Sequence, residues 1–82
     1  MNWIKASEQM PELEPGEGFT RRVFVWIVDT DFDDGYGFAD SGIYSRTWGG
    51  WIVEEGTLEE QGFRVTHWTE IEPPDGYRVR EG

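Results

Sequence analysis

A chain of 82 residues with no cysteine has room for one domain around one modest core, and it excludes disulfide stapling, thiolate zinc clusters, redox pairs and thiol nucleophiles. Seventeen Asp plus Glu against seven Lys plus Arg give a formal net charge of −10, which argues against direct DNA or RNA binding and against anionic membranes. Five Trp, five Phe and three Tyr supply large apolar areas for so short a chain and argue against disorder.

In chain order, Met1-Asn2-Trp3-Ile4-Lys5 lacks both the charged start and the apolar stretch of a signal peptide, so none is expected. Residues 3–10 read as an extended arm that ends at Pro11, followed by an irregular loop through Glu12, Pro15, Gly16 and Gly18. The run at 21–28 is rich in β-branched and aromatic residues and apolar on both alternating faces, which predicts the central strand; it is too short to cross a bilayer. Residues 29–40, with five Asp and two Gly, predict an acidic loop. A second strand is expected at 42–48 and a third at 51–55, joined by a tight turn at Gly49-Gly50. In that register Trp48 faces Trp51, Arg46 faces Val53 and Tyr44 faces Glu55, so the two indoles should pack together. Thr57-Leu58-Glu59-Glu60 has the spacing of a capping box and Gly62 offers a stop, so at most one helical turn follows. Residues 63–71 read as a fourth strand, ended by Pro73-Pro74, and Tyr77-Arg78-Val79-Arg80 as a short edge strand. The expected fold is a single mainly β domain over 1–82: a small antiparallel sheet of about four strands, as a meander or half-open barrel.

Trp3-Ile4 followed by Glu8-Gln9-Met10-Pro11, together with Val65-Thr66-His67-Trp68 followed by Glu72-Pro73-Pro74, resembles the signature of a small family of unknown function common in bacteriophages and prophages. Its members open with W-I and E-x-L-P and close with V-T-H-W and a proline pair. Here Met10 stands in place of the leucine, and the acidic 29–40 segment departs from the pattern. The resemblance implies a phage or prophage origin and an antiparallel β fold in which Trp3 and Trp68 pack together. It carries no activity and no cofactor.

His67 is the only histidine and alternates with Val65, Thr69 and Ile71, which suits a hydrogen-bonded structural role; no nucleophile or second ligand accompanies it, so no enzyme is expected. Asp29, Asp31 and Asp33, with Asp40 at the twelfth position, partly imitate a calcium loop. Asp34 replaces the glycine such a loop needs at its sixth position and strands flank it, so no metal is assigned and a calcium-binding loop stays an alternative. The favoured reading joins the carboxylates into a surface. Asp29, Asp31 and Asp33, if extended, recur along one side, Asp34 follows them, and Glu54, Glu55, Glu59 and Glu60 form a second cluster, with Tyr36 as an exposed aromatic anchor. Such an array imitates a phosphate backbone. The expected partner is a basic, nucleic-acid-binding surface of a host protein or nucleoprotein complex in the host cytoplasm, blocked as by a DNA mimic or an anti-CRISPR-like inhibitor. A structural or assembly module of a phage, held by aromatic contacts, is the other alternative.

Overall fold

Val23, Val25 and Ile27 are fully buried while Phe24, Trp26 and Val28 between them are half-buried, so the long apolar run is a strand with one dry face and one partly wet face. The computed structural model describes residues 2–32 and 34–78 and organises them around that strand. In chain order the strands are β1 (Ile4–Lys5), β2 (Val23–Asp29), β3 (Phe38–Ser45), β4 (Gly50–Ile52) and β5 (Phe63–Thr69). They form one antiparallel sheet in the order β1-β5-β2-β3-β4, which puts β2 at its centre. The single helical element among the described residues is a 3-10 turn at Glu59–Gln61, ended by Gly62. The mainly β fold read from the sequence is therefore present. A fifth strand arises because Ile4 and Lys5 pair with Trp68 and His67, which makes part of the expected arm an edge strand.

One sheet of this size cannot dry a core against a second sheet, so the chain folds its own connections over the β2 dry face. From one side comes the segment after β4, which inserts Leu58 against Val23, Val25, Ile27, Trp51 and Trp68. From the other side comes the arm after β1, where the Trp68 indole N–H donates to the Gln9 carbonyl at 2.7 Å. Ile4, Ala6, Tyr44, Val53, Phe63 and Val65 complete the cluster as partly buried neighbours.

A bulge in β5 decides which of its side chains reach that core. Trp26 opposes His67, but the next residue, Ile27, opposes Val65, so Thr66 is the extra residue. Val65 and Trp68 are three positions apart and would fall on opposite faces of a regular strand; the skipped residue puts both on the core face. The regular alternation of Val65, His67 and Thr69 expected from the sequence is broken there. His67 lies opposite Trp26, on the face away from the core.

The hairpin between β3 and β4 also departs from expectation. Ser45 opposes Gly50, Tyr44 opposes Trp51 and Ile43 opposes Ile52, so the connection is the four residues 46–49, not a two-residue Gly-Gly turn. The Gly49 N–H donates to the Ser45 carbonyl at 2.9 Å, the Trp48 N–H donates to Ser45 Oγ at 3.1 Å, and Gly49 takes a φ of 72°. Gly50 is not among the positive-φ residues, and a two-residue type I′ turn needs that geometry at both central positions. The two indoles consequently separate. Trp51 is buried and meets the Tyr44 ring edge-on at 5.4 Å, whereas Trp48 is 68 % exposed at the loop tip. Trp3 likewise does not pair with Trp68: Ile4 opposes Trp68, which sends Trp3 to the other face, onto Trp26 at a ring separation of 6.2 Å. Tyr77 and Arg78 lie outside any strand, and the remainder of the expected terminal edge strand, Val79 and Arg80, lies outside the described residues.

The two tryptophans of the hairpin should separate cleanly in a denaturant titration. Trp51→Ala removes a buried indole and should cost about 3–5 kcal/mol, enough to unfold much of the population at this size. Trp48→Ser should stay within about 0.5 kcal/mol of the parent. Comparable losses at both positions would contradict the Tyr44–Trp51 register.

Candidate functional site

Carboxylates line one groove of the molecule and cations do not. The groove, about 740 Å³, lies between the start of β3 and the segment that leaves β4 and runs into the 3-10 turn. Its apolar lining is Phe38, Val53, Leu58 and Phe63, with Phe38 and Phe63 meeting edge-on at 5.9 Å. Asp40, Glu54, Glu55 and Glu60 stand around that lining, and all four are exposed. No Lys or Arg is among the groove residues, and the ion pair found among the described residues, Arg21 with Glu14 at 3.7 Å, lies elsewhere. The groove thus presents four carboxylates and no cation of its own over an aromatic and aliphatic floor, with Arg21 and Arg22 in the adjoining cavity that shares Val53 and Glu54.

Local chemistry explains why the segment 53–61 stands off the sheet. The Leu58 N–H donates to the Trp51 carbonyl at 2.7 Å, and the Trp51 N–H is shared between the two carboxylate oxygens of Glu59 at 2.9 and 3.1 Å. Both backbone groups of Trp51 are thereby satisfied by a returning strap instead of a further strand. Gly50 makes room for it, since a β-carbon there would come within 2.8 Å of the Glu59 carboxylate. The Thr57 hydroxyl accepts the Glu60 N–H at 3.3 Å, which realises the hydroxyl half of the expected capping box. Gln61 Nε2 closes the strap by donating to the carbonyls of Glu55 and Thr57 at 3.0 and 3.2 Å.

These contacts sort the residues singled out from the sequence. Glu54, Glu55 and Glu60 come together in the groove. Glu59 does not: its carboxylate is committed to the Trp51 amide and holds the strap. Asp29 ends β2, and Asp31, Asp34 and Tyr36 sit in the β2–β3 connection, which adjoins the groove because Asp29 opposes Phe63 and the Thr30 N–H donates to the Gly62 carbonyl at 2.9 Å. They do not form the extended ladder expected of them. Asp29 Oδ1 accepts the Asp31 N–H at 2.8 Å and Asp34 Oδ1 accepts the Tyr36 N–H at 3.0 Å, so the chain turns twice. Asp33 lies outside the described residues. Among the described residues no three His, Asp or Glu side chains converge as a metal cage. Tyr36 is 79 % exposed, and Phe32 of the same connection is also exposed.

Two features escaped sequence reasoning. Asp40 joins the groove because β3 begins at Phe38, inside the stretch read as loop; the alternation Phe38, Asp40, Gly42 opposite Ile27, Val25 and Val23 was the available signal. On the opposite side of the sheet, Trp3, Trp26 and His67 line a shallow aromatic notch of about 280 Å³. His67 Nδ1 lies 2.9 Å from the Thr66 hydroxyl, which fits the structural, hydrogen-bonded histidine expected from the sequence, although its ring faces this notch and not the core.

The family model described as "Protein of unknown function (DUF551)" matches residues 2–75, which is nearly the whole chain. No curated protein and no solved structure matches it.

Charge removal should distinguish the strap carboxylate from the groove carboxylates. Glu59→Ala leaves the Trp51 amide without its charged acceptor and should cost about 1–3 kcal/mol in chemical denaturation. Glu54→Gln, Glu55→Gln and Glu60→Gln should each change stability by less than about 0.5 kcal/mol. Equal sensitivity at all four positions would remove the distinction.

Proposed function

We propose that this chain, which belongs to the DUF551 family of unknown function, is a small acidic protein of phage or prophage origin that acts by binding, without catalysis, to a basic surface. The observation that carries this reading is the groove in which Asp40, Glu54, Glu55 and Glu60 stand over Phe38, Leu58 and Phe63 with no cation among them. Carboxylates left unpaired on a folded scaffold repel one another and lower stability slightly, a cost that a cationic partner offsets when it docks. The acidic turn at Asp29, Asp31 and Asp34 extends the negative field past the groove end, and Tyr36 offers an aromatic contact beside it.

The partner class that matches is a Lys/Arg surface built for nucleic acid, on a host protein or nucleoprotein complex of the bacterial cytoplasm. Occupying it blocks nucleic-acid binding in the manner of a DNA mimic, and inhibition of a nuclease-based defence complex is the most concrete form of that role. A second reading, a phage assembly module held by aromatic contacts, is favoured by the notch at Trp3, Trp26 and His67. A calcium-binding role for the β2–β3 connection finds no converging ligand set among the described residues.

Salt and competition separate the first two. Captured from a bacterial lysate at low salt, the partner of the acidic groove should be a basic nucleic-acid-binding protein that added DNA displaces. Its affinity should fall steeply, by about tenfold or more, between roughly 0.05 and 0.5 M salt, and the combined change Asp40→Asn, Glu54→Gln, Glu55→Gln, Glu60→Gln should reproduce that loss at low salt. A partner that DNA does not displace and that resists salt, but is lost on Trp3→Ala, belongs to the assembly reading and overturns the mimic.

A further inference from the structure

The backbone of β3 is paired on both sides over only part of its length. The Thr20 N–H donates to the Tyr44 carbonyl at 3.0 Å and the Arg46 N–H donates to the Gly18 carbonyl at 2.8 Å, so even-numbered residues of this strand turn their backbone groups toward the β2 side. Odd-numbered residues turn theirs the other way. Ser45 and Ile43 meet Gly50 and Ile52 of β4 there, but β4 ends at Ile52 and the chain departs into the strap. Ser41 and Ala39, which continue the same row and lie opposite Phe24 and Trp26 of β2, have no strand on the outward side among the described residues.

What occupies that row now is local. The Ser41 N–H donates to Oδ1 of the adjacent Asp40 at 2.8 Å, and the Ser41 carbonyl accepts from Arg22 Nη1 at 3.3 Å. Neither is a strand-like partner. Ala39 is exposed, and no hydrogen bond of its backbone on that side is found among the described residues. Sheet edges of this kind are templates for another chain, and proteins that do not use them cover or charge them. Here the covering strap stops short and leaves a groove whose wall includes Phe38 and Asp40 of the same unpaired stretch.

We infer that the partner docks by adding a short extended segment to the β3 edge along residues 38–41, with backbone hydrogen bonds to Ala39 and Ser41. Its side chains on the groove face, every second residue, are cationic: their heads reach Asp40, Glu54, Glu55 and Glu60 and their aliphatic stems lie over Phe38, while the residues between them point to the other face. The inference rests on the basic-partner reading above and adds a binding mode to it: recognition through the backbone, with charge as its filter. Charge complementarity commits the occupant. An antiparallel second copy of this same edge would bring Asp40 near its own equivalent and set two acidic grooves side by side, which like-charge repulsion disfavours.

The test uses the whole chain and two probe peptides of equal charge: a capped alternating Arg-Val hexapeptide, and its analogue N-methylated at alternate residues, which cannot pair as a strand. Amide resonances are followed by NMR titration. The unmethylated peptide should bind with its largest shifts at Ala39 and Ser41, and methylation should weaken it about tenfold, the equivalent of one to two hydrogen bonds. Ala39→Pro, which removes an outward N–H and spares the ladder to β2, should cause a similar loss with every carboxylate in place. Should that variant fold poorly, the methylated peptide on the unaltered chain decides alone. Equal binding of both peptides overturns strand addition and leaves the acidic surface standing; binding of neither removes the basic-partner reading and this inference with it. Self-association of the free chain that Ala39→Pro abolishes would assign the edge to a second copy and overturn the proposal.

Discussion

The Glu59 carboxylate holding the Trp51 N–H is the contact on which the rest of the molecule turns. β4 is three residues long and lies at the edge of the sheet, and its Tyr44–Trp51 pair needs cover on the core face that no second sheet supplies. By taking the Trp51 amide with a side chain and giving the Leu58 N–H to the Trp51 carbonyl, the strap replaces a further strand with a loop. Leu58 is thereby inserted into the core beside Val23, Val25 and Ile27. The same departure from the sheet creates the groove. Had β4 continued opposite Ser41 and Ala39, the edge would be paired and the floor of Phe38 and Phe63 covered.

Acidity acquires meaning only through this arrangement. A net charge of −10 spread evenly would keep the chain soluble and do little else. Instead the carboxylates differ in role: Glu59 is structural, Asp29 and Asp34 fix turns, and Glu54, Glu55 and Glu60 stand exposed at the groove with Asp40, whose Oδ1 also accepts the Ser41 N–H. Two of the cations are placed differently, while Arg22 stays near the groove, on the Ser41 carbonyl. Lys5 pairs opposite His67 and Arg64 opposite Val28, on the side of the sheet that also carries Trp3 and Trp26. The molecule therefore has an acidic groove on one side and an aromatic notch, with Lys5 and Arg64 on its face of the sheet, on the other.

The bulge at Thr66 links these two sides. By advancing the register of β5 by one residue it sends Val65 and Trp68 together into the core and leaves His67 beside Trp26. The closing Val65-Thr66-His67-Trp68 motif is thus a device for splitting four consecutive residues between two faces in an irregular order. Its aromatic and β-branched content is accounted for by packing.

Local chemistry was readable from the chain itself. The central strand at β2, the single helical turn after Thr57, the stop at Gly62 and the strand before Pro73 all follow from side-chain branching, capping hydroxyls and glycine, which act over a few residues. So does the segregation of Glu54, Glu55 and Glu60 into one cluster. What the sequence left open was everything that depends on which strand lies opposite which. The Gly49-Gly50 pair suggested a two-residue turn that would stack Trp48 on Trp51, yet burial of Tyr44 with Trp51 outweighs that turn preference and shifts the register. Trp3 was expected against Trp68, but pairing Ile4 with Trp68 reverses its face. Glu59 reads as one more surface carboxylate until the strap brings it to an amide eight residues away, and Asp40 reads as loop until β2 recruits it into a strand. Short-range sterics set the elements, and long-range pairing assigned the faces, because shifting a strand by one residue changes no local preference and inverts every side chain.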